Sequence, residues 1–375
     1  MMQRLLFLSL LLLFLTLGLD VSGGETNVYF GTYTKGVDSK GIYLSAFDSD
    51  AGTLGKPALA GELENPSFLT ITPSGKYLYA VTEIGSGSGG GIVTAFRIGE
   101  KGVLEKINAV DSGGAGPCYL STSSDGRLLA VANYGSGSIA SYQLGADGTI
   151  SEPVTVIQHT GSSIHPKSQK GPHAHSVRFS PDDRFLYAAD LGTDRIYRYV
   201  VDKTTGALTA SGETKIKPGS GPRHFTFLPG GDFAYVINEL TLTMTAFRVD
   251  VGSGELKEIS TLSTLPEGIE PFGSAAEVVA HPSGRFLYGS NRGHDSIVIY
   301  AADPENGTLR YVANESTRGK TPRGFSISPD GKWLLAAGQD SGNITIFSIN
   351  ESTGKLTFTG KEIQIDHPVC IRFQP

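Results

Sequence analysis

Seven near-copies of one short unit divide the chain, and no other feature limits its fold as strongly. Self-similarity of this kind marks an architecture that stacks or circles one supersecondary unit. Three patterns recur. An apolar run ends in Phe or Tyr at residues 41–47, 91–96, 138–142, 195–199, 242–247, 296–300 and 343–347. Further on stands Gly-x-Leu or Gly-x-Ile, opening at Gly52, Gly102, Gly148, Gly206, Gly254, Gly307 and Gly354. Glycine there suits a hairpin turn that needs positive φ. The third pattern is a hairpin, plainest at residues 221–239, GPRHFTFLPGGDFAYVINE. Phe225 and Phe227 alternate into a Pro-Gly-Gly turn, and a second strand-like run follows.

The hairpin turn recurs at positions 73, 124, 181, 229, 282 and 329, and a seventh first strand, 369–375, ends the chain without a partner. Its missing partner is at the other terminus, where residues 27–33 match the second strands. Four strands per unit and one unit shared between the termini describe an all-β fold. It is a seven-bladed β-propeller of four antiparallel strands per blade, closed by strands from both ends. The 49 glycines and the low charged fraction of 18% suit many short strands and tight turns.

Residues 1–23 read as a secretory signal peptide: Arg4, an apolar run from Leu5 to Leu19, then small residues before Gly24. The propeller is expected over 24–375, exported to the periplasm or the medium, monomeric and without stable membrane insertion. A net charge of −6 argues against a nucleic-acid partner. Two cysteines, Cys118 and Cys370, are too few for a disulfide scaffold.

Counting from the turn residue of each hairpin exposes two columns. Six residues before it, where first strands begin, stand Ser67, Cys118, His175, Arg223, Ala276, Arg323 and Val369. Ten residues after it, where second strands end, stand Tyr33, Glu83, Tyr134, Leu191, Glu239, Arg292 and Gln339. Antiparallel pairing brings both columns to one rim of the ring, together with the long linkers 158–172 and 261–274. Three arginines, two glutamates and a histidine therefore crowd one mouth of the channel. Such crowding points to an anionic ligand held by Arg223, Arg292 and Arg323, with Glu239, Glu83 or His175 available for proton transfer. A salt-bridge ring that seals the mouth is the alternative. Glu277 is a further acid next to the inner column. His159, His165, His173 and His175 match no zinc spacing, so no metal is expected.

The motifs GPHAH (171–175), GPRH (221–224), NEL (238–240), NR (291–292) and TPRGFSISPDG (321–331) resemble the lactonase family of seven-bladed propellers. That family includes bacterial 6-phosphogluconolactonases and the fungal 3-carboxy-cis,cis-muconate lactonizing enzyme. The resemblance implies a catalytic set at His175, Arg223, Glu239 and Arg292. Arg323, His224, Asn238, Asn291, Glu83 and Glu277 are expected to bind substrate, with no cofactor. The implied reaction is hydrolysis of an anionic sugar lactone, 6-phosphogluconolactone foremost. A muconate-type lactone enzyme and a non-enzymatic exported binding propeller are the alternatives.

Export carries its own test. Mass spectrometry of the protein from its native cell should find a mature N-terminus near Gly24, whereas an intact Met1 in the soluble cytoplasm would refute cleavage.

Overall fold

The computed structural model describes residues 24–85 and 90–375. The signal-peptide reading of residues 1–23 lies outside them. The chain forms seven antiparallel sheets, six of which hold four strands in simple sequence order. The first strands of neighbouring sheets pack against one another all the way round and line a central channel. The seventh blade closes the ring as expected: Pro368–Phe373 is its innermost strand and Glu25–Thr32 its second. Val28 stands opposite Phe373 and Gly31 opposite Cys370. This blade departs from four plain strands, because Thr53–Leu54 and Ala58–Glu62 both pair with Gly41–Asp48 and share the outer position.

The recurring glycine turns also join the blades to one another. At Gly148 φ is +88°, and a Cβ built there would meet the Tyr77 ring of the preceding blade at 2.3 Å. At Gly307 the ring of Phe233 lies as close. Only glycine allows both the left-handed turn and the approach of that ring. Two residues after the ring, a buried tyrosine donates its hydroxyl to the same glycine's carbonyl. Tyr79 does so to Gly148 at 3.1 Å, Tyr187 to Gly254 at 2.6 Å and Tyr235 to Gly307 at 2.9 Å. The same latch runs from Tyr29 to Gly102 and from Tyr288 to Gly354. Where tyrosine is missing, Ser141 reaches Gly206 from within the sequence-preceding blade's third strand, at 2.7 Å. These glycines therefore make the turn and also leave room for the neighbouring blade.

Two variants measure these joints. Tyr235→Phe should cost about 1 kcal/mol, the net worth of one buried hydrogen bond, read as a shifted denaturant midpoint with unchanged slope. Deleting residues 369–375 should be far more damaging, because it opens the ring at an apolar edge. An unchanged unfolding midpoint after that deletion would contradict closure by both termini.

Candidate active site

Six of the seven first strands carry a β-bulge at one place, near their start. The register to the second strand slips at Cys118, His175, Arg223, Arg323 and Val369, each unpaired between two paired neighbours. In a sixth blade Ala276 and Glu277 together face Ser290. A bulge takes a side chain out of the pleat's alternation and re-aims it. Consecutive residues of a regular strand point to opposite faces. Here the Arg223 guanidinium lies 2.9 Å from the ring of the very next residue, His224. The bulge makes that contact possible.

Arg223 is the centre of the cluster, with a side chain only 1% exposed. Its Nε donates to Oε2 of Glu239 at 2.8 Å, and Nη1 donates to the Ala276 carbonyl at 2.7 Å and to Nε2 of His224. Arg292, one blade on, donates Nη2 to the same Glu239 Oε2 at 2.9 Å and to the Ala275 carbonyl at 3.0 Å. A guanidinium has no lone pair to offer, so Nε2 of His224 is the acceptor and its proton sits on Nδ1. That Nδ1 donates to Oε1 of Glu277 at 2.7 Å. His175 stands edge-on to both His224 and Tyr134, with the Cys118 sulfur 3.6 Å from its Nδ1.

Arg323 differs from the other two arginines. Among the described residues it has no carboxylate within ion-pair distance, and its guanidinium rests 5.5 Å from the centre of the Tyr33 ring. The Tyr33 hydroxyl donates to Oε2 of Glu83 at 3.0 Å. The structure thus brings His175, Arg223, Glu239, Arg292 and Arg323 to one mouth, with Glu83 beside them.

The charges decide which groups are protonated. Burial pushes the Glu239 carboxyl up, but Arg292, Arg223 and Arg323 together outweigh it and hold the group below the ordinary glutamate range. Burial, then Arg323 and Arg292, bring Arg223 down to about 10, so it stays a cation at neutrality. Burial and then the Arg223 charge drive His175 and His224 well below the ordinary imidazole value, which keeps both neutral. Glu277 moves the other way, because its burial outweighs the pull of Arg372 and Arg223.

Two expected substrate contacts are not brought to the mouth. Asn238 is fully buried and donates Nδ2 to Thr243 and Thr245 on the third strand, at 3.0 and 2.9 Å. Asn291 donates to the Thr264 carbonyl and accepts from the Thr264 hydroxyl at 2.6 Å. These amides fasten strand ends and linkers. His224 and Glu277 lie behind Arg223 and are 4% and 7% exposed, placed to support it. The loop histidines are likewise occupied: His159 with Asp190 and Tyr199, and His173 with the Tyr134 carbonyl.

Sequence reasoning missed the floor of this site. Phe68 stacks on Tyr119 with ring centres 4.0 Å apart, and His224 meets both edge-on. They leave a void of only about 10 Å³ between Ser67, Cys118, Arg223 and Arg323.

A family model described as "Lactonase, 7-bladed beta-propeller" matches residues 27–373. The chain belongs to this lactonase family. It is 35% identical to the 6-phosphogluconolactonase of Bacillus subtilis (strain 168) over 92% of this chain and 97% of that one. A 6-phosphogluconolactonase of Formosa agariphila is 35% identical, covering 90% of this chain and 97% of its own. Among solved structures, the periplasmic gluconolactonase of Pseudomonas aeruginosa superposes with a TM-score of 0.88 at 35% identity, over 94% of this chain and 99% of that one. The arginine–glutamate mouth of this lactonase-family chain sets two guanidiniums and a carboxylate side by side, with a third guanidinium, Arg323, that has no described ion-pair partner.

Removing the shared carboxylate should expose how much it balances. Glu239→Ala leaves two largely buried guanidiniums without their partner and should cost about 3 kcal/mol. Glu315→Ala, which breaks the exposed pair to Arg318, should cost less than about 1 kcal/mol by the same denaturant titration. The histidines add a pH effect. Their folded values lie below the unfolded one, so the unfolded chain binds more protons and stability falls as pH drops below 6.5. Two such groups give a slope of up to about 2.7 kcal/mol per pH unit. Replacing His175 and His224 by Asn and Gln should flatten the pH profile between about 6.5 and 5.5, the range where unperturbed imidazoles take up protons.

Proposed function

We propose that this protein hydrolyses an anionic sugar lactone at the Arg223–Glu239–Arg292 mouth, with 6-phosphogluconolactone as the preferred substrate, and that it works outside the cytoplasm. One observation carries the assignment of roles. Two guanidiniums share a single oxygen of Glu239, and no bond from a described residue engages the other oxygen. That second oxygen belongs to a group 19% exposed, while His175 is 4% exposed. Glu239 is the better placed general base.

The chemistry follows from those placements. Oε1 of Glu239 takes a proton from water as the water oxygen bonds to the lactone carbonyl carbon. The carbonyl oxygen becomes an oxyanion. The ring C–O bond then breaks as the carbonyl re-forms, and the leaving oxygen recovers the proton from Glu239. Fixed cations help most where charge appears during the reaction. Arg223 is buried and committed to Glu239, Ala276 and His224, so its role is to position the base. Arg292 and Arg323 are left to meet the oxyanion and the phosphate. His175, neutral on the same wall, is a hydrogen-bond partner for the substrate or the water.

The substrate class is supported by the names of the relatives and by the unpaired Arg323. Export is supported by the apolar segment 5–19 and by the periplasmic relative from Pseudomonas aeruginosa.

Purified protein assayed on a lactone panel tests the reading. Glu239→Gln and Arg292→Ala should each lower kcat by about a hundredfold to a thousandfold while the protein stays folded. Arg323→Ala should raise KM for 6-phosphogluconolactone by about tenfold more than for gluconolactone, as loss of one charge-assisted phosphate contact would. Because the arginines hold the Glu239 carboxyl down, the acid limb of kcat/KM should fall below 4.5, the ordinary glutamate value. Wild-type turnover by Glu239→Gln on every lactone hydrolysed would move the catalytic site elsewhere.

A further inference from the structure

The other end of the channel holds a cavity of about 560 Å³ that the reaction above does not use. Volumes of a few hundred Å³ are typical of small-molecule sites. It opens among the turns that join first to second strands, with Pro181, Pro229 and Pro282 in its wall. Tyr119 belongs to its wall, and the two rings that pack on Tyr119, Phe68 and His224, border the small void beside Arg223.

Its lining follows the repeat. Three residues along each first strand from the bulge column stand Thr70, Ser121, Arg178, Thr226, Val279, Ser326 and Arg372, and all seven line the cavity. One level of the channel therefore carries four hydroxyls and two guanidiniums. Arg372 is held rigidly: Nε donates to the Leu69 carbonyl at 2.9 Å and Nη1 to the Ile371 carbonyl at 2.7 Å. Its guanidinium lies 4.4 Å from the Phe68 ring centre. Those bonds leave Nη2 uncommitted. Among the described residues neither Arg178 nor Arg372 has a carboxylate within 4 Å, the distance that defines the ion pairs elsewhere in the chain.

Two carboxylates also line the cavity, Glu277 bonded through one oxygen and Asp183 through both. Oε1 of Glu277 accepts from His224 and from the Val278 amide at 3.0 Å. Both oxygens of Asp183 accept from the Ser124 amide at 3.0 Å, and Oδ2 also takes the Ser124 hydroxyl at 2.5 Å. Arg178 and Arg372 reach the same space from opposite sides, since their blades stand three places apart in a ring of seven. Both act on the Tyr119 hydroxyl and on the Glu277 carboxyl, opposing the upward push of burial on each. Two cations without a carboxylate in ion-pair distance, facing a ring of hydroxyls of which Thr226 alone has a described acceptor, the Phe227 carbonyl at 3.5 Å, match the charge and the acceptor-rich surface of a tetrahedral oxyanion.

We propose that this far mouth is a second anion-binding site, which takes the phosphoryl group of a small phosphorylated molecule between Arg178, Arg372 and the hydroxyls of Thr70, Ser121, Thr226 and Ser326.

Calorimetric titration of inorganic phosphate into the purified protein at low salt tests this. The Arg323→Ala protein weakens the phosphate contact at the catalytic mouth, and the far-mouth variants then assign whatever binding remains. In that background a phosphate-binding event should persist. Adding Arg178→Ala should weaken it about tenfold. Ser326→Asp, which sets a carboxylate in the same ring and leaves both arginines in place, should remove it. Loss of all phosphate binding in the Arg323→Ala protein would overturn the proposal. So would binding that neither Arg178→Ala nor Ser326→Asp changes. Lactone hydrolysis is scored separately, so failure of either reading leaves the other standing.

Discussion

A guanidinium buried to 1% exposure needs a partner charge and must satisfy its donors, or the fold loses several kcal/mol. Arg223 meets that demand by drawing in Glu239 on the second strand, the Ala276 carbonyl of the next blade and the ring of His224. Each of those partners is fixed in turn. Glu239 is shared with Arg292, and His224 is held in one tautomer by Glu277. The order of the mouth is thus a consequence of one buried cation. Burial and then the same cation hold His175 and His224 neutral, and the cation helps keep Glu239 charged. Structure and protonation are set by the same interaction, which is what a site needs if its base must be ready at neutral pH.

Much of this was legible in the chain because the repeat converts position into place. A fixed offset from the turn residue puts His175, Arg223 and Arg323 in one column and Glu239 and Arg292 in another, and antiparallel pairing brings the columns together. Ring closure was legible for a related reason: each terminus carries half of a hairpin.

The bulges were not legible. Nothing in Pro222-Arg223-His224 encodes a slipped register, and strict alternation would send the last two residues to opposite faces. The roles of His224 and Glu277 were therefore misplaced, from substrate contact to support behind Arg223. Asn238 and Asn291 were misplaced because column counting says which rim a residue occupies and not where its side chain turns. Both amides found hydroxyl and carbonyl partners within the blade. The floor of Phe68 and Tyr119 escaped notice because a stacked aromatic pair across two blades has no local pattern. The far mouth could have been found by counting three residues onward from the bulge column, where Arg178 and Arg372 interrupt a run of serine and threonine.

The pairing of the two chain ends has a further bearing on when the molecule can form. The side chains of Asn27 and Gln374 are joined by a hydrogen bond across 347 residues of sequence. Contacts of such long range come late, since the entropy of closing the loop must be met before they contribute. The seventh blade cannot assemble until the last strand has left the ribosome. Until then the early blades have an unfilled place in the circle and an open edge on either side of it. The fold is thus completed after synthesis rather than during it, because the piece that locks the ring is the last to be made.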